Sequence, residues 1–195
     1  RFFFRRKIIC GKEFLSNLKG SVILAPTHRS RWDGLLLTFA MGRRVTNKDC
    51  RFMVTTPEMK GLQGWFLKRL GCFSINQKSP SLFSLRYAIN LILSNNQLVI
   101  FPEGKINKEG KKVPLKQGLF RLAKLANNRG TAVNIVPIGI AYSNISPKFR
   151  DKVALCIEKP IVLKDFSYLS ISEFNDLLGK QILNAELKAL SLVDR

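Results

Sequence analysis

The sequence predicts an α/β protein: a single layered domain with a largely parallel sheet flanked by helices. Short apolar runs alternate with longer segments of helical periodicity, which is the pattern of an α/β layer structure. The chain has 195 residues, of which 46% are hydrophobic and 24% charged, and this suffices for one domain with a full core. We therefore interpret residues 1–195 as one domain, with a lead-in over 1–20 and a motif-bearing core over 21–141.

The predicted strands are short apolar runs bounded by charged or turn residues. Their β-branched and aromatic content is typical of strands covered on both faces. They span residues 21–26, 51–55, 72–75, 97–101, 132–141 and 153–157. No helical pattern separates the last two runs, so we expect antiparallel pairing among the last strands.

Helices are predicted where apolar residues recur every three or four positions. These segments are residues 35–41, 81–94, 115–127 and 171–193. Ser79 and Pro80 are the predicted cap and first turn of the second helix, and Ser170 and Glu173 form a capping box before the last. No uncharged apolar run approaches the ~18–20 residues that span a bilayer.

The charge balance is strongly basic. Lys and Arg number 33 against 13 Asp and Glu, which gives a net charge of +20. Such an excess predicts an acidic partner: nucleic acid, anionic lipid headgroups or an acidic carrier protein. A basic nucleic-acid-binding module is the alternative function of another class. It lacks a helix-turn-helix, zinc or RNA-recognition signature, so we expect no nucleic-acid partner.

Histidine and cysteine restrict the chemistry further. His28 is the one histidine, so a three-His zinc site is excluded and any imidazole base must be His28. Cys10, Cys50, Cys72 and Cys156 form no C-x-x-C pair, and we expect no metal. Their wide spacing and the lack of a secretory leader predict reduced thiols in a cytosolic compartment. Cys72 lies in an apolar run, which favours a buried structural thiol over a nucleophile.

His28 and Asp33 lie in a predicted strand–loop–helix segment. The two side chains can meet if His28 is in the loop and Asp33 in the first helical turn. An ionised Asp beside imidazole fixes one tautomer and stabilises the imidazolium that forms when His accepts a proton. In the alternative interpretation Asp33 only caps the helix and His28 is a surface residue. The spacing alone leaves both open.

Glu103 and Gly104 follow the predicted strand at 97–101. Open α/β sheets bind ligands at the carboxyl ends of their strands, and Gly104 permits close backbone approach or a positive φ. An ordinary strand-to-loop turn is the alternative.

Together, four blocks resemble the glycerolipid acyltransferases of the lysophosphatidate acyltransferase type. In the order of that family they are residues 28–33, 71–77, 101–104 and 135–138, and the resemblance runs from about Ser21 to Ala141. It implies an O-acyltransferase of phospholipid biosynthesis in which His28 takes a proton from the acceptor hydroxyl. The hydroxyl oxygen then attacks an acyl thioester without an acyl-enzyme intermediate. Asp33 would orient His28, and Glu103 and Gly104 would help to place the acceptor.

The resemblance also implies the substrates and the location. The first choice of acceptor is 1-acyl-sn-glycerol-3-phosphate, giving phosphatidate, and the alternatives are another lysolipid or a neutral glyceride. The donor would be acyl-CoA or acyl carrier protein, with no metal or redox cofactor. We expect a peripheral protein at the cytoplasmic face of a membrane, bound to an anionic membrane surface.

Two positions depart from the family pattern. The family usually has Arg where this chain has Gln77, and Thr-Arg where it has Lys105 and Ile106. Those arginines are associated with the acceptor phosphate, and neither Gln nor Ile offers a bidentate fork. We expect Gln77, Lys78 and Lys105 to contact the acceptor instead.

Two segments mix aromatic and basic side chains. Residues 1–9 suit either a membrane interface or a terminal element packed on the core. Residues 65–70 have the same character, and we expect them to contact lipid or an acyl chain.

Overall fold

The computed structural model describes residues 3–15, 18–77, 79–94, 96–166 and 168–194, and it confirms the predicted class. A mixed eight-stranded sheet lies between layers of helices. The strands are β1 (Arg6–Cys10), β2 (Ser21–Pro26), β3 (Cys50–Thr55), β4 (Cys72–Ile75), β5 (Gln97–Val99), β6 (Val133–Tyr142), β7 (Lys152–Ile157) and β8 (Ile161–Val162). The helices are α1 (Asp33–Met41), α2 (Arg43–Thr46), α3 (Gly61–Arg69), α4 (Leu82–Leu93), α5 (Gly118–Asn127) and α6 (Ile171–Leu192).

The strand order places β2 in the centre of the sheet. Along the sheet the order is β1-β7-β6-β2-β5-β3-β4, and β8 pairs with β6. The β6–β7 and β6–β8 pairs are antiparallel and the other pairs are parallel, which confirms the expected antiparallel pairing among the last strands. Because β2, β3 and β5 are parallel, the loops that follow them lie at one edge of the sheet.

The core has two apolar layers, one on each face of the sheet. Successive side chains of β2 point to opposite faces, so Ile23 joins one cluster and Leu24 the other. The first cluster includes the buried sides of α4 and α5 and the first half of α6. The second includes α1, through buried residues such as Leu37 and Met41. Burial on both faces explains why β2 and β6 are almost wholly apolar.

The amino-terminal segment is a strand packed on the core over its described part. β1 pairs in parallel with β7, while Arg1 and Phe2 lie outside the described residues. In this register Cys10 is opposite Cys156, and the two are joined by a disulfide. The expectation of four reduced thiols is therefore wrong for this pair. The two cysteines are 146 residues apart in sequence, so only the strand order brings them together.

Helix boundaries differ from the predictions at two places. Ser81 caps α4, because its hydroxyl accepts the backbone N–H of Ser84 at 3.1 Å, so the predicted cap at Ser79 and Pro80 is wrong. The helix expected from residue 115 begins at Gly118, since the Lys116 N–H instead bonds the carbonyl of Pro102 at 2.8 Å. The capping box before α6 is confirmed. Among the described residues, no helix is both long and apolar enough to cross a membrane.

Candidate active site

The loop after β2 brings the predicted histidine and aspartate together. His28 lies in this loop and Asp33 opens α1. Nδ1 of His28 is 2.9 Å from Oδ2 of Asp33. The same oxygen accepts the backbone N–H groups of Arg29 at 2.7 Å and Ser30 at 2.9 Å. The Asp33 carboxylate thus fixes both the imidazole and the loop that carries it.

Asp33 is fully buried, and its second oxygen is bound from the other side of the site. The hydroxyl of Tyr142, the last residue of β6, donates to Oδ1 of Asp33 at 2.5 Å. Burial and the negative charge of Asp33 raise the pKa of Tyr142 far above its usual range, so this phenol stays a donor. Because the carboxylate acts as an acceptor for these groups, it accepts a hydrogen bond from the Nδ1–H of His28, and the proton stays on the imidazole. The Nε2 atom then carries the lone pair.

Phe101 covers one face of the imidazole. It follows β5, and its ring stacks on that of His28 with centroids 3.9 Å apart and planes 21° from parallel. The His28 side chain keeps 19% of its surface exposed. Because β2 and β5 pair in parallel, His28 after β2 and Phe101 after β5 lie side by side.

Glu103 braces the same loop from the end of β5. Its buried carboxylate accepts the backbone N–H of His28 at 3.1 Å and the side-chain amide of Asn107 at 2.7 Å. Nη1 of Arg29 donates to both of its oxygens, at 2.8 and 2.9 Å. Glu103 thus supports the backbone of the histidine. Its contact with the acceptor, implied by the resemblance, stays a prediction.

Arg29 is held by a second carboxylate, from α6. Its Nε and Nη2 atoms donate to the two oxygens of Glu186 at 2.5 and 2.7 Å. Both side chains are buried. Burial by itself would lower the pKa of Arg29, but the hydrogen bonds and charges of Glu186 and Glu103 outweigh it and raise that pKa. The guanidinium is therefore a permanent cation between two carboxylates.

The positions that depart from the family pattern lie close to one another. The Gln77 side-chain amide donates to the carbonyl of Gly104 at 3.0 Å, which joins the second block to the third. Gly104 has φ +70°, and a Cβ there would lie 3.0 Å from Cγ of Lys116. Lys105 is exposed, and Lys78 lies outside the described residues. Acceptor binding by Gln77, Gly104, Lys105 and Lys78 stays a prediction.

Arg29, Tyr142 and Glu186 were not predicted as site residues from the sequence, and neither was Asn107. Arg29 directly follows the histidine, and Tyr142 directly follows the longest predicted strand, so each of these two had a weak local signal. Glu186 lies within the predicted last helix and had none. Within the described residues, no group of three His, Cys, Asp or Glu side chains is placed to hold a metal ion.

The chain belongs to the acyltransferase family. The model of this family, described as "Acyltransferase", matches residues 7–141, which include all four blocks. Relatives of the lysophosphatidate acyltransferase type then confirm the particular resemblance seen in the sequence. The chain is 28% identical over 158 residues to the 1-acyl-sn-glycerol-3-phosphate acyltransferase of Streptococcus pneumoniae, covering 80% of this chain and 56% of that protein. It is 26% identical over 131 residues to the enzyme of the same name from Bacillus subtilis, covering 64% and 62%.

A solved structure shows the same fold. The 1-acyl-sn-glycerophosphate (LPA) acyltransferase PlsC from Thermotoga maritima aligns with a TM-score of 0.66 and 22% identity. The alignment covers 94% of this chain and 73% of that one. The chain spans less than two thirds of the length of the curated relatives it matches.

Proposed function

We propose that this chain transfers a fatty acyl group from a thioester donor to the hydroxyl of 1-acyl-sn-glycerol-3-phosphate, giving phosphatidate. The observation that carries the proposal is the His28–Asp33 pair, in which Nδ1 is bound to a buried carboxylate. The names of the relatives from Streptococcus pneumoniae and Bacillus subtilis support this choice of acceptor.

The reaction needs one general base. Nε2 of His28 takes the proton of the acceptor hydroxyl as its oxygen attacks the thioester carbonyl carbon. The carbon–sulfur bond then breaks, and the imidazolium returns the proton to the leaving thiolate. Asp33 stabilises the imidazolium while Phe101 keeps the ring in place. A positioned base of this kind contributes roughly 10²–10⁴-fold to the rate.

Simple cations replace the arginine clamp in this proposal. Gln77 and Gly104 lie together, the Lys116 side chain lies against Gly104, and Lys105 follows on the exposed side of the motif. Lysine binds phosphate as a point charge, without the planar fork of arginine. The same observation favours a second candidate, an uncharged glyceride or another lysolipid, because Gln77 is a neutral hydrogen-bonding group.

The donor in this proposal is acyl-CoA or acyl carrier protein. Both are acidic, one through its phosphates and the other through its side chains. The net charge of +20 supports attraction of either one.

The proposed site of action is an anionic surface at the cytoplasmic face of a membrane, to which the protein binds peripherally through α3. In this helix Gly64 is the buried residue, whereas Leu62, Trp65 and Phe66 are 88%, 57% and 51% exposed. The Arg69 guanidinium lies 4.3 Å from the Trp65 ring centroid. Aromatic rings beside cations suit the headgroup region of anionic lipids.

The position of α3 agrees with this role. The helix follows the carboxyl end of β3, and the His28 loop follows the carboxyl end of β2. Both strands are parallel to β5, so the start of α3 lies at the same edge of the sheet as the histidine, and the helix ends at the opposite edge, beside the first residue of β3. An acceptor would enter the site from the same membrane that α3 contacts.

An acceptor panel tests the reaction. Thiol release from acyl-CoA or from acyl carrier protein is followed with lysophosphatidate, monoacylglycerol and lysogalactolipid, and the acylated product is identified by mass spectrometry. We expect release that depends on the acceptor and is fastest with lysophosphatidate. Faster release with an uncharged acceptor would favour the second candidate, and release with none of the three would overturn the proposal.

Vesicle flotation tests the membrane surface separately. We expect binding to vesicles rich in anionic phospholipid, weak binding to zwitterionic ones, and loss of binding as salt rises, because the Debye length is ~8 Å at physiological ionic strength. The double variant Trp65→Ser with Phe66→Ser should float poorly. A matched control is Leu125→Ser, since Leu125 is an exposed apolar residue of α5. Equal flotation of the two variants would exclude α3 as the membrane-binding surface.

A further inference from the structure

We infer that Glu186 of α6 is a positioning residue for the catalytic loop and acts on His28 through Arg29; this inference rests on the function proposed above. Glu186 lies beyond residues 7–141, which the family model matches. It lies 157 residues from Arg29 in sequence, yet it is one of the two carboxylates that pair with the buried Arg29 side chain, the other being Glu103.

The hydrogen bonds divide the Arg29 guanidinium into two edges. One edge, Nε with Nη2, is bidentate to Glu186. Nη1 faces Glu103, and it also lies 3.1 Å from the carbonyl oxygen of Asn107 and 3.3 Å from that of His28. Glu186 thus sets the angle at which Arg29 meets Glu103.

The backbone around the histidine depends on that angle. Glu103 holds the N–H of His28, and Asp33 holds the N–H groups of Arg29 and Ser30. Three successive backbone N–H groups are therefore fixed by two carboxylates. One of these carboxylates is itself oriented by Arg29. A shift of Arg29 moves the backbone to which the imidazole is attached.

Helix α6, which carries Glu186, packs closely against β6 at Gly139. A Cβ at Gly139 would lie 2.1 Å from the backbone N of Glu186 and 2.1 Å from the carbonyl carbon of Ala185. The helix backbone therefore rests directly on the strand at this point. This close approach fixes the distance from which Glu186 reaches Arg29, so the carboxyl-terminal helix becomes part of the site.

Loss of the Glu186 charge leaves half of a buried guanidinium without its ionic partner. Removing one member of a buried pair is costly because the other remains desolvated, so Arg29 must move or draw in water. Its remaining strong partner is Glu103, and movement toward it changes the bond from Glu103 to the His28 backbone. A displacement of about 1 Å at a catalytic group can cost ~10²-fold in rate.

The same helix provides a matched control. Lys188 of α6 pairs with Glu158 at 2.5 Å, and the Lys188 side chain is mostly exposed. The variant Lys188→Ala removes an ion pair of α6 without touching the loop of the histidine. It separates a positioning effect from general weakening of the helix.

The test uses His28 as its own probe, because it is the one histidine of the chain and its imidazole nitrogen and proton signals need no assignment among others. In Glu186→Gln we expect the Nδ1 proton signal to shift or broaden and kcat to fall about 10- to 100-fold. Lys188→Ala should leave both as in the wild type. Should Glu186→Gln fail to fold by circular dichroism, Glu186→Asp, which withdraws the charge by one methylene, serves in the same comparison.

The acyl-transfer assay and the His28 signal test the proposed function and the positioning role of Glu186 separately. A wild-type protein without acyl transfer would overturn the proposed function, while the His28 signal would still decide the positioning role. His28 signals and turnover that match the wild type in the Glu186 variant would overturn the inference. A change of equal size in Lys188→Ala would overturn it as well.

Discussion

The Tyr142 hydroxyl donates to Oδ1 of Asp33 at 2.5 Å and so joins the last residue of β6 to the first residue of α1. Both residues are buried. The other oxygen of Asp33 faces His28, so the phenol and the imidazole are bound to opposite oxygens of one carboxylate. The fourth family block leads into Tyr142 along β6, which gives that block a direct connection to the proposed chemistry.

The first prediction concerns this phenol. Tyr142→Phe removes a donor from a buried carboxylate, and a hydrogen bond to a charged group is worth roughly 1.5–3 kcal/mol. We expect kcat/KM to fall about tenfold or more, because the buried Oδ1 of Asp33 loses the donor that helps to fix the carboxylate beside His28. Steady-state kinetics with Tyr87→Phe, on the exposed surface of α4, as control checks this. Unchanged kinetics in Tyr142→Phe would show that the hydrogen bond to Asp33 does not contribute to catalysis.

The second prediction concerns the close packing of α6 against Gly139 of β6. In Gly139→Ala the new methyl meets the helix backbone, which cannot give way as a flexible side chain does. Overpacking of this kind costs typically ~1–3 kcal/mol, which corresponds to about 2–4 °C of Tm per kcal/mol in a chain of this size. Gly118→Ala, where nothing lies within 4 Å, is the control. Thermal unfolding with equal Tm values for the two variants would contradict the close approach.

The third prediction concerns the two cysteines that are not in the disulfide. Burial raises the pKa of Cys50 and Cys72 from 9.0 to about 11. A thiol in the folded state therefore keeps its proton where an unfolded one loses it, and the thiolate fraction at pH 8 falls about a hundredfold. We expect alkylation by iodoacetamide to be slow in the native protein and rapid in urea.

This pKa shift also separates the structural role of Cys72 from a nucleophilic one. Cys72→Ser should retain acyl transfer. Loss of transfer in a folded Cys72→Ser protein, together with rapid alkylation of the native protein, would favour a nucleophilic role for the Cys72 thiol.

The fourth prediction concerns the acceptor. If its phosphate is bound by simple cations, Lys105→Ala should raise the acceptor KM about tenfold or more and leave the donor KM unchanged. The double variant Gln77→Arg with Ile106→Arg should improve or at least preserve the use of lysophosphatidate. Initial rates with charged and uncharged acceptors measure both effects. A double variant that gains lysophosphatidate activity at the expense of uncharged acceptors preferred by the wild type would overturn the choice of acceptor.

Local patterns predicted several strands well. The bounds of β2 and β4 match the predicted runs. Strand β2 is buried along its whole length, as a continuous apolar run indicates, whereas β4 is a half-buried strand at the edge of the sheet. The capping box before α6 depends on two nearby residues, Ser170 and Glu173, and the sequence predicted it correctly. By contrast, α3 was not predicted, because its apolar and aromatic residues face outward and give no buried helical stripe.

In the candidate site, too, local contacts were predicted from the sequence and contacts between distant positions were not. Spacing placed His28 and Asp33 in one strand–loop–helix turn, and the geometry agrees. Glu186 and the Cys10–Cys156 disulfide join positions 157 and 146 residues apart, so they depend on strand order and helix docking. No local pattern in a single sequence records such pairings.

The most direct test of the central claim is the turnover of purified His28→Ala. If the imidazole acts as the general base, acyl transfer should fall roughly 10²–10⁴-fold while circular dichroism and vesicle binding stay as in the wild type. Asp33→Asn should also lose much of the activity, since a neutral amide cannot stabilise by charge the imidazolium that forms when His28 accepts a proton. Near wild-type turnover of His28→Ala, with the substitution verified by mass spectrometry, would contradict the mechanism proposed here.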